Sequence, residues 1–255
     1  MTLHDPLIAR MEEINGRLIA DDDERQYFHG AYLRSTRAVM RDAAAGEFTD
    51  PEWAQRWGIA FAQLYMDAFD AWEGGAETPG PWEVAFDVSR DPSVPPVRHA
   101  LLGINAHINY DLPQALLAVI SDDEFDDDAV MTVRAADHAH VDSILVARVP
   151  GEDKRIAALE DPGDRTWVDG IMSPFNRAGT KRFLKEGRNK VWSNTRLLSQ
   201  ARRQGPDVYA EELAKLEALC QERVADLVEP RYVIMRLATK GFGVALPPRS
   251  TATTT

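Results

Sequence analysis

The chain has 255 residues, 44% of them hydrophobic and 27% charged, with a formal net charge of −12. That length buries a full-sized core as one large domain or two small ones. The acidic balance speaks against a nucleic-acid groove, which needs a clustered positive field, and against adsorption to anionic lipid. Neither nucleic acid nor a membrane is therefore expected as a partner. Cys220 is the only cysteine, so an intrachain disulfide and a Cys-based zinc site are both excluded. The first residues, MTLHDPLIARMEEINGRL, mix acids with apolar side chains and do not read as a signal peptide. No charge-free apolar run is long enough to span a bilayer, and the expected location is the cytoplasm.

Period 3.6 dominates the chain. Leu7, Ile8, Met11, Ile14, Leu18 and Ile19 form one helical stripe. A second helix is predicted from about Glu24 to Ala45, with Phe28, Tyr32, Val39 and Met40 inward. Asp50 and Pro51 then offer an N-cap and a first helical residue for a third helix. In it Trp53, Trp57, Ala60, Leu64, Ala68 and Ala71 share a face. GGAETPGP at 74–81 reads as a loop, 82–89 as a short helix and DPSVPP as a proline-rich link. A helix over about 97–111 and a helical segment over 114–120 follow, then the acidic connection SDDEFDDD. Residues 132–148 read as a helix and 150–164 as loop-rich, with a turn of helix as the alternative. A long basic helix over about 176–203 precedes Gly205 and Pro206, and another helix runs on to about Val228. Residues 232–238, YVIMRLA, suit a helix or an edge strand, and RSTATTT at 249–255 a disordered tail. There is no repeat and no convincing strand alternation. The predicted class is all-α: a single-domain helical bundle over 1–248, built around a buried central helix at about 97–111.

That central helix carries GINAHINYDLP, residues 103–113. Between His99 and Ile120 the one carboxylate is Asp111, and Lys, Arg and Glu are absent. On a helical wheel His99, Gly103, His107 and Asp111 form a row beside the apolar stripe, and Asn105 and Asn109 lie on the other flank. A helix with no solvated face is buried nearly all round, and its polar groups must find partners. Two readings are open. In the structural one, Asp111 and Gln114 make a capping box, Asn105 and Asn109 tie loops to the core, and His107 is a core histidine. In the functional one, His107 is an acid/base or metal ligand partnered by Asp111, with Asn105, Asn109 and Tyr110 as further catalytic candidates. Gly103 then opens space and, with His99, Trp57, Tyr65 and Asp67, forms the substrate-binding set.

RAADHAHVDSILVARV repeats the spacing, since His138 and Asp142 are also four apart. Two helices each offering His-x-x-x-Asp supply four ligands, His107, Asp111, His138 and Asp142. These pairs resemble the metal-binding helices of zinc-dependent phospholipases C and related single-strand nucleases. The resemblance implies zinc or a similar divalent ion; the alternative is no cofactor. On the wheel, however, Asp137 falls with Val133, Val141 and Ile144, which makes Asp137 the buried acid and leaves His138 and Asp142 half exposed. GINAHINYDL itself resembles the G-(I/M)-N-A-H-I-N-Y-D-L hallmark of an uncharacterised, mainly bacterial family. FAQLYMDAFDAW before it and ADHAHVDSIL after it look similar too. This resemblance implies an all-α fold across most of the chain and carries no activity.

DDEFD at 122–126 matches the Asp-rich motif of terpene cyclases, but the partner Asn/Asp, Ser, Glu helix is missing, and the stretch reads as a solvated acidic loop. His29 reads as a packed histidine and Cys220 as an inert core residue. The basic helix reads as a solvated face, with an anionic substrate or the chain's own acidic loop as alternatives. No phosphate loop, dinucleotide fingerprint or nucleophile elbow is present. Three functions remain open. One is an enzyme on a small organic molecule, using His107 and Asp111, with metal-assisted hydrolysis as its possible chemistry. The second is a cofactor-free cyclase or isomerase of specialised metabolism, its apolar substrate shaped by Trp53, Trp57, Tyr65 and Trp72. The third is a non-catalytic ligand-binding or scaffold protein. The oligomeric state is left open.

Overall fold

A computed structural model describes residues 5–159, 177–228 and 241–248. The helices are α1 (Asp5–Ala20), α2 (Gln26–Ala44), α3 (Pro51–Glu73), α4 (Gly80–Val88), α5 (Pro96–Ala106), α6 (Leu112–Val119), α7 (Asp122–Phe125), α8 (Asp128–Leu159), α9 (Arg177–Gln204) and α10 (Pro206–Val228). A π-helical turn, His107–Asp111, joins α5 to α6. Among the described residues there is no strand, and no helix is long and apolar enough to cross a membrane. The protein is all-α, as expected. The 232–238 segment and the 249–255 tail lie outside the described residues.

The apolar stripes account for the packing. Met11, Ile14 and Leu18 of α1 are buried against Phe28 and Leu33 of α2 and against Tyr65, Met66 and Phe69 of α3. Ile19, counted with the stripe, stays 57% exposed, because it sits at its edge in the last turn. Asp50 caps α3 as the sequence implies, its Oδ1 accepting from Trp53 N at 2.9 Å. A second cluster joins Trp53 and Trp57 of α3 to Leu116 of α6, Met131 of α8 and Trp192 of α9. Arg134 of α8 reaches Asp50 and Glu124 at 2.6 and 2.8 Å while lying over the Trp53 ring. The central helix is thus enclosed by α2, α3, α4, α9 and α10.

Three boundaries differ from the sequence reading. The central helix does not end at Asp111: it continues through the π turn into α6, with Leu112 N donating to His107 O five residues back. Pro113 explains the widened turn. It lacks the N–H that would pair with Asn109 O, and in a regular helix its ring would press on that carbonyl. Residues 150–159 continue α8 and are not loop. Finally, the acidic run is not simply solvated. Ser121 makes a capping box with Glu124, while Asp122 accepts from Arg202 and Asp126 from Arg203, so the basic helix α9 meets the chain's own acidic loop.

Candidate functional site

The π turn sets the centre of the molecule. His107 Nδ1 and Asp111 Oδ2 are hydrogen-bonded at 2.8 Å, and Trp82 Nε1 of α4 donates to the same oxygen at 2.9 Å. Both side chains are buried, His107 at 3% exposure and Asp111 at 2%. Burial pushes the Asp111 carboxyl well above its ordinary range, opposed by the Trp82 hydrogen bond, and pushes the His107 imidazole well below its own. The pair therefore favours its uncharged form. Nδ1 is taken, and Nε2 is buried with no hydrogen-bond partner among the described residues. Phe61 of α3 stacks face to face on the imidazole at 3.6 Å, and Tyr32 of α2 meets it edge-on at 4.4 Å.

His29 supplies the contrast within the same core. Its Nδ1 pairs with Tyr65 Oη at 2.9 Å and its Nε2 with Met11 O at 2.8 Å. It is the packed histidine that the sequence suggested, satisfied on both sides. His107 is satisfied on one.

A cavity of about 150 Å³ lies beside His107, walled by α2, α3, the π turn, α8, α9 and Phe242. Its lining is almost entirely carbon, with Tyr32, Trp57, Phe61 and Phe242 as its aromatic faces. That volume is of the size that takes a benzene-sized guest. His138 of α8 also lines it, packed against Trp57 and Trp192, and its Nδ1 too has no hydrogen-bond partner among the described residues. Burial drives the His138 imidazole down to about 3, helped by the nearby Arg188 charge. Asp142 accepts from Arg188 at the wall, and its carboxyl is lifted to about 6 by burial, with Arg188 opposing.

The sequence-derived candidates divide. His107, Asp111, Trp57, His138 and Asp142 gather in or directly behind this cavity. Among the described residues no group of three or more His, Cys, Asp or Glu side chains is placed to hold a metal ion. The proposed quartet does not converge, because Asp111 is engaged by Trp82 and His107, and Asp142 by Arg188. The wheel placed Asp137 correctly: it is buried and accepts from Thr49 N and Asp50 N. It misplaced His138, which is 3% exposed rather than half exposed. Asp111 caps no helix, and Gln114 instead donates to Tyr110 O.

The remaining candidates are occupied elsewhere. Asn105 and Asn109 bond the backbone of residues 242–244, as the structural reading had it. Tyr110 donates to Glu217 on the far flank at 3.2 Å. His99 lies 3.6 Å from Glu24 in a separate small cleft. Gly103 leaves no open space: a Cβ there would come within 2.4 Å of the Phe28 ring, which fills it. Tyr65 stands behind the cavity wall, bonded to His29. Asp67 is exposed and accepts from Gln63, so it is no pocket carboxylate. Trp72 lies beneath Arg25 and Arg90 and donates to Asp87, away from the cavity. Sequence reasoning missed Phe61, Tyr32, Trp82, Arg188 and Phe242. Phe61 had a signal, being four residues from both Trp57 and Tyr65 on one helix; Trp82 and Phe242 had none.

Fold and site together define an all-α protein with an apolar cavity and a buried His–Asp pair on a π turn. Residues 4–230 match a family of unknown function, DUF5995, and the chain belongs to that family. No curated protein and no solved structure matches it.

Proposed function

We propose that the chain is a cofactor-free enzyme that binds a small, largely apolar molecule in this cavity and moves a proton on it, as an isomerase or cyclase does. One observation carries the reading: His107 lines an apolar cavity, is backed by Asp111, and has a buried nitrogen with no partner among the described residues. An orphaned buried polar atom costs about 1–3 kcal/mol, so a core histidine would be expected to look like His29. The cavity is larger than its few polar groups need, which favours a substrate held by its carbon surface.

The chemistry follows from the uncharged pair. Asp111 then donates its carboxyl proton to Nδ1, and Nε2 carries the imidazole's own hydrogen. As Nε2–H protonates the substrate, the Asp111 proton passes to Nδ1, and the negative charge rests on the carboxylate that Trp82 already holds. In the return step Nε2 takes a proton from another position of the substrate, and Nδ1 hands its proton back to Asp111. The substrate gains one proton and loses one, and the pair is regenerated. A metal-assisted hydrolase draws less support, since Asp111 and Asp142 are already engaged. We place the work in the cytoplasm on the sequence alone.

The test is a panel of benzene-sized compounds screened by thermal stabilisation, followed by proton exchange from deuterated water into any compound that binds. Binding lost in Ala31→Phe, which fills the cavity, and exchange lost in His107→Gln are expected. Absence of any binder in the parent protein would refute the reading, and binding without exchange would replace it with the ligand-binding alternative.

A further inference from the structure

Residues 241–248 contain no helix, yet Val244 and Leu246 are 5% and 4% exposed. They sit on Tyr110, Leu117, Leu198 and Leu216, in a groove formed by the π turn, α6, α9 and α10. What holds the segment is unusual for a helical protein, because its backbone pairs with side chains. Asn109 donates from Nδ2 to Phe242 O at 3.2 Å and accepts at Oδ1 from Val244 N at 3.0 Å. Asn194 of α9 repeats the pattern two residues on, donating to Val244 O at 2.8 Å and accepting from Leu246 N at 2.9 Å. Each amide thus takes one C=O and the N–H two residues later, as a neighbouring β-strand would. Lys190 donates to Gly243 O at 2.9 Å, Arg223 to Gly241 O at 2.6 Å, and Glu186 accepts from Phe242 N at 3.2 Å. This is main-chain recognition of an extended peptide, with apolar seats for alternate side chains.

The segment also reaches the cavity. Phe242 is part of the cavity wall, and a Cβ on Gly187 of α9 would lie 3.8 Å from its ring. The two clamps differ in place. Asn109 is on the π turn itself, whereas Asn194 lies outside the cavity lining.

We propose that this groove is a peptide-binding site whose occupant is the chain's own 241–248 segment, and that the segment is a releasable strap: when it lifts, Phe242 leaves the wall and the cavity beside His107 opens. A groove that pairs with main-chain N–H and C=O groups through side chains can let go of its occupant without unravelling a helix. His107 is buried at the cavity wall at 3% exposure, and among the described residues the strap is the wall element that belongs to no helix. The inference requires the cavity but no reaction at His107.

Two readouts on the full chain test it. Amide hydrogen exchange reports strap opening at Val244 and Leu246. Modification of His107 by diethyl pyrocarbonate, mapped by mass spectrometry, reports cavity opening, with His29 as the internal reference. In the parent protein, Val244 and Leu246 are expected to exchange faster than the Tyr65 and Leu116 amides of the core. Asn194→Ala is expected to raise strap exchange and His107 modification together, roughly ten- to hundred-fold, the equivalent of the two hydrogen bonds it removes, with His29 unchanged. Phe242→Ala should raise His107 modification with little effect on Val244 and Leu246, and this arm stands even if Asn194→Ala fails to fold. Strap amides that exchange only with the core would overturn the proposal. So would faster strap exchange with His107 modification unmoved, or His107 and His29 rising in parallel.

Discussion

Replacing His107 and His29 by leucine, one at a time, should give opposite results although both rings are buried in one core. His29→Leu strands two groups, the Tyr65 hydroxyl and the Met11 carbonyl, which now pair with it at 2.9 and 2.8 Å. Each stranded buried group costs about 1–3 kcal/mol, so the loss should be about 2 kcal/mol or more. His107→Leu strands the Asp111 carboxyl proton that Nδ1 accepts, at about 1–3 kcal/mol, while Asp111 keeps the Trp82 N–H. It also deletes the orphaned Nε2 and returns a desolvation penalty of about 1–3 kcal/mol. The two terms nearly cancel, and His107→Leu should unfold within about 1 kcal/mol of the parent. Denaturant unfolding at neutral pH, with the midpoint and slope compared across the three proteins, measures both. A His107→Leu loss as large as that of His29→Leu would mean that Nε2 is satisfied in the folded protein, and the site would be a core histidine.

Other expectations follow from single contacts. Gly103→Ala should cost about 1–3 kcal/mol in the same assay, because its methyl group meets the Phe28 ring and pushes it toward the cavity. Trp82→Phe should cost about 1–3 kcal/mol by removing the N–H that Asp111 accepts. Asp67→Ala should lie within about 0.5 kcal/mol of the parent, since the carboxylate is exposed. His138 is held at about 3, below its ordinary 6.5, so its contribution to stability is present above pH 6.5 and lost as pH falls toward 3. His138→Gln should therefore flatten the acid side of the stability–pH curve, by up to about 1.4 kcal/mol per pH unit. Asp142 runs the other way: raised to about 6, it favours the fold below pH 3.8 and loses that contribution as pH rises through about 6, so Asp142→Asn should remove a decline over that range.

The sequence was informative where one face of one helix decides the outcome. Asp50 followed by Pro51 sets the start of α3, and the period of Met11, Ile14 and Leu18 sets the face of α1. It was less informative where burial comes from several sides. Ala60 and Leu64, read as the inner face of α3, are only partly buried, while Tyr65, Met66 and Phe69 are enclosed by α2 and α4. Counting charges between His99 and Ile120 located the polar helix, but its partners were out of reach. Asp111 meets Trp82, a contact spanning 29 residues, and Asn109 meets Phe242 and Val244, spanning 133 and 135. Local spacing made Asp111 and Gln114 look like a capping box, because nothing local reveals that Pro113 is carried inside a continuous helix by a π turn. The His-x-x-x-Asp spacing recurred in α8, but equal spacing fixes only a shared face. What lies opposite decides the rest: Arg188 opposite Asp142, Trp82 opposite Asp111.

The π turn also explains why one short stretch carries so many polar residues. A single helix turn here serves two neighbours that need different chemistry. On one flank His107 and Asp111 face each other, Trp82 and the aromatic wall, where desolvation keeps the pair uncharged. On the other, Asn105 donates to the 241–248 backbone, and Asn109 both donates to it and accepts from it. A neutral amide does this without bringing charge into the core, as Asn194 does from α9. Asparagine rather than aspartate on that flank therefore follows from the partner being main chain, and under the proposed proton transfer aspartate rather than asparagine at 111 supplies the movable proton. The exchange Asp111→Asn separates the two jobs. It keeps an acceptor for Trp82, so the fold and the strap should survive. It removes the proton that passes to Nδ1, so any exchange that depends on His107 should be lost. If that exchange persisted in Asp111→Asn, His107 would be working without a relay, and the division of labour along the turn would be wrong.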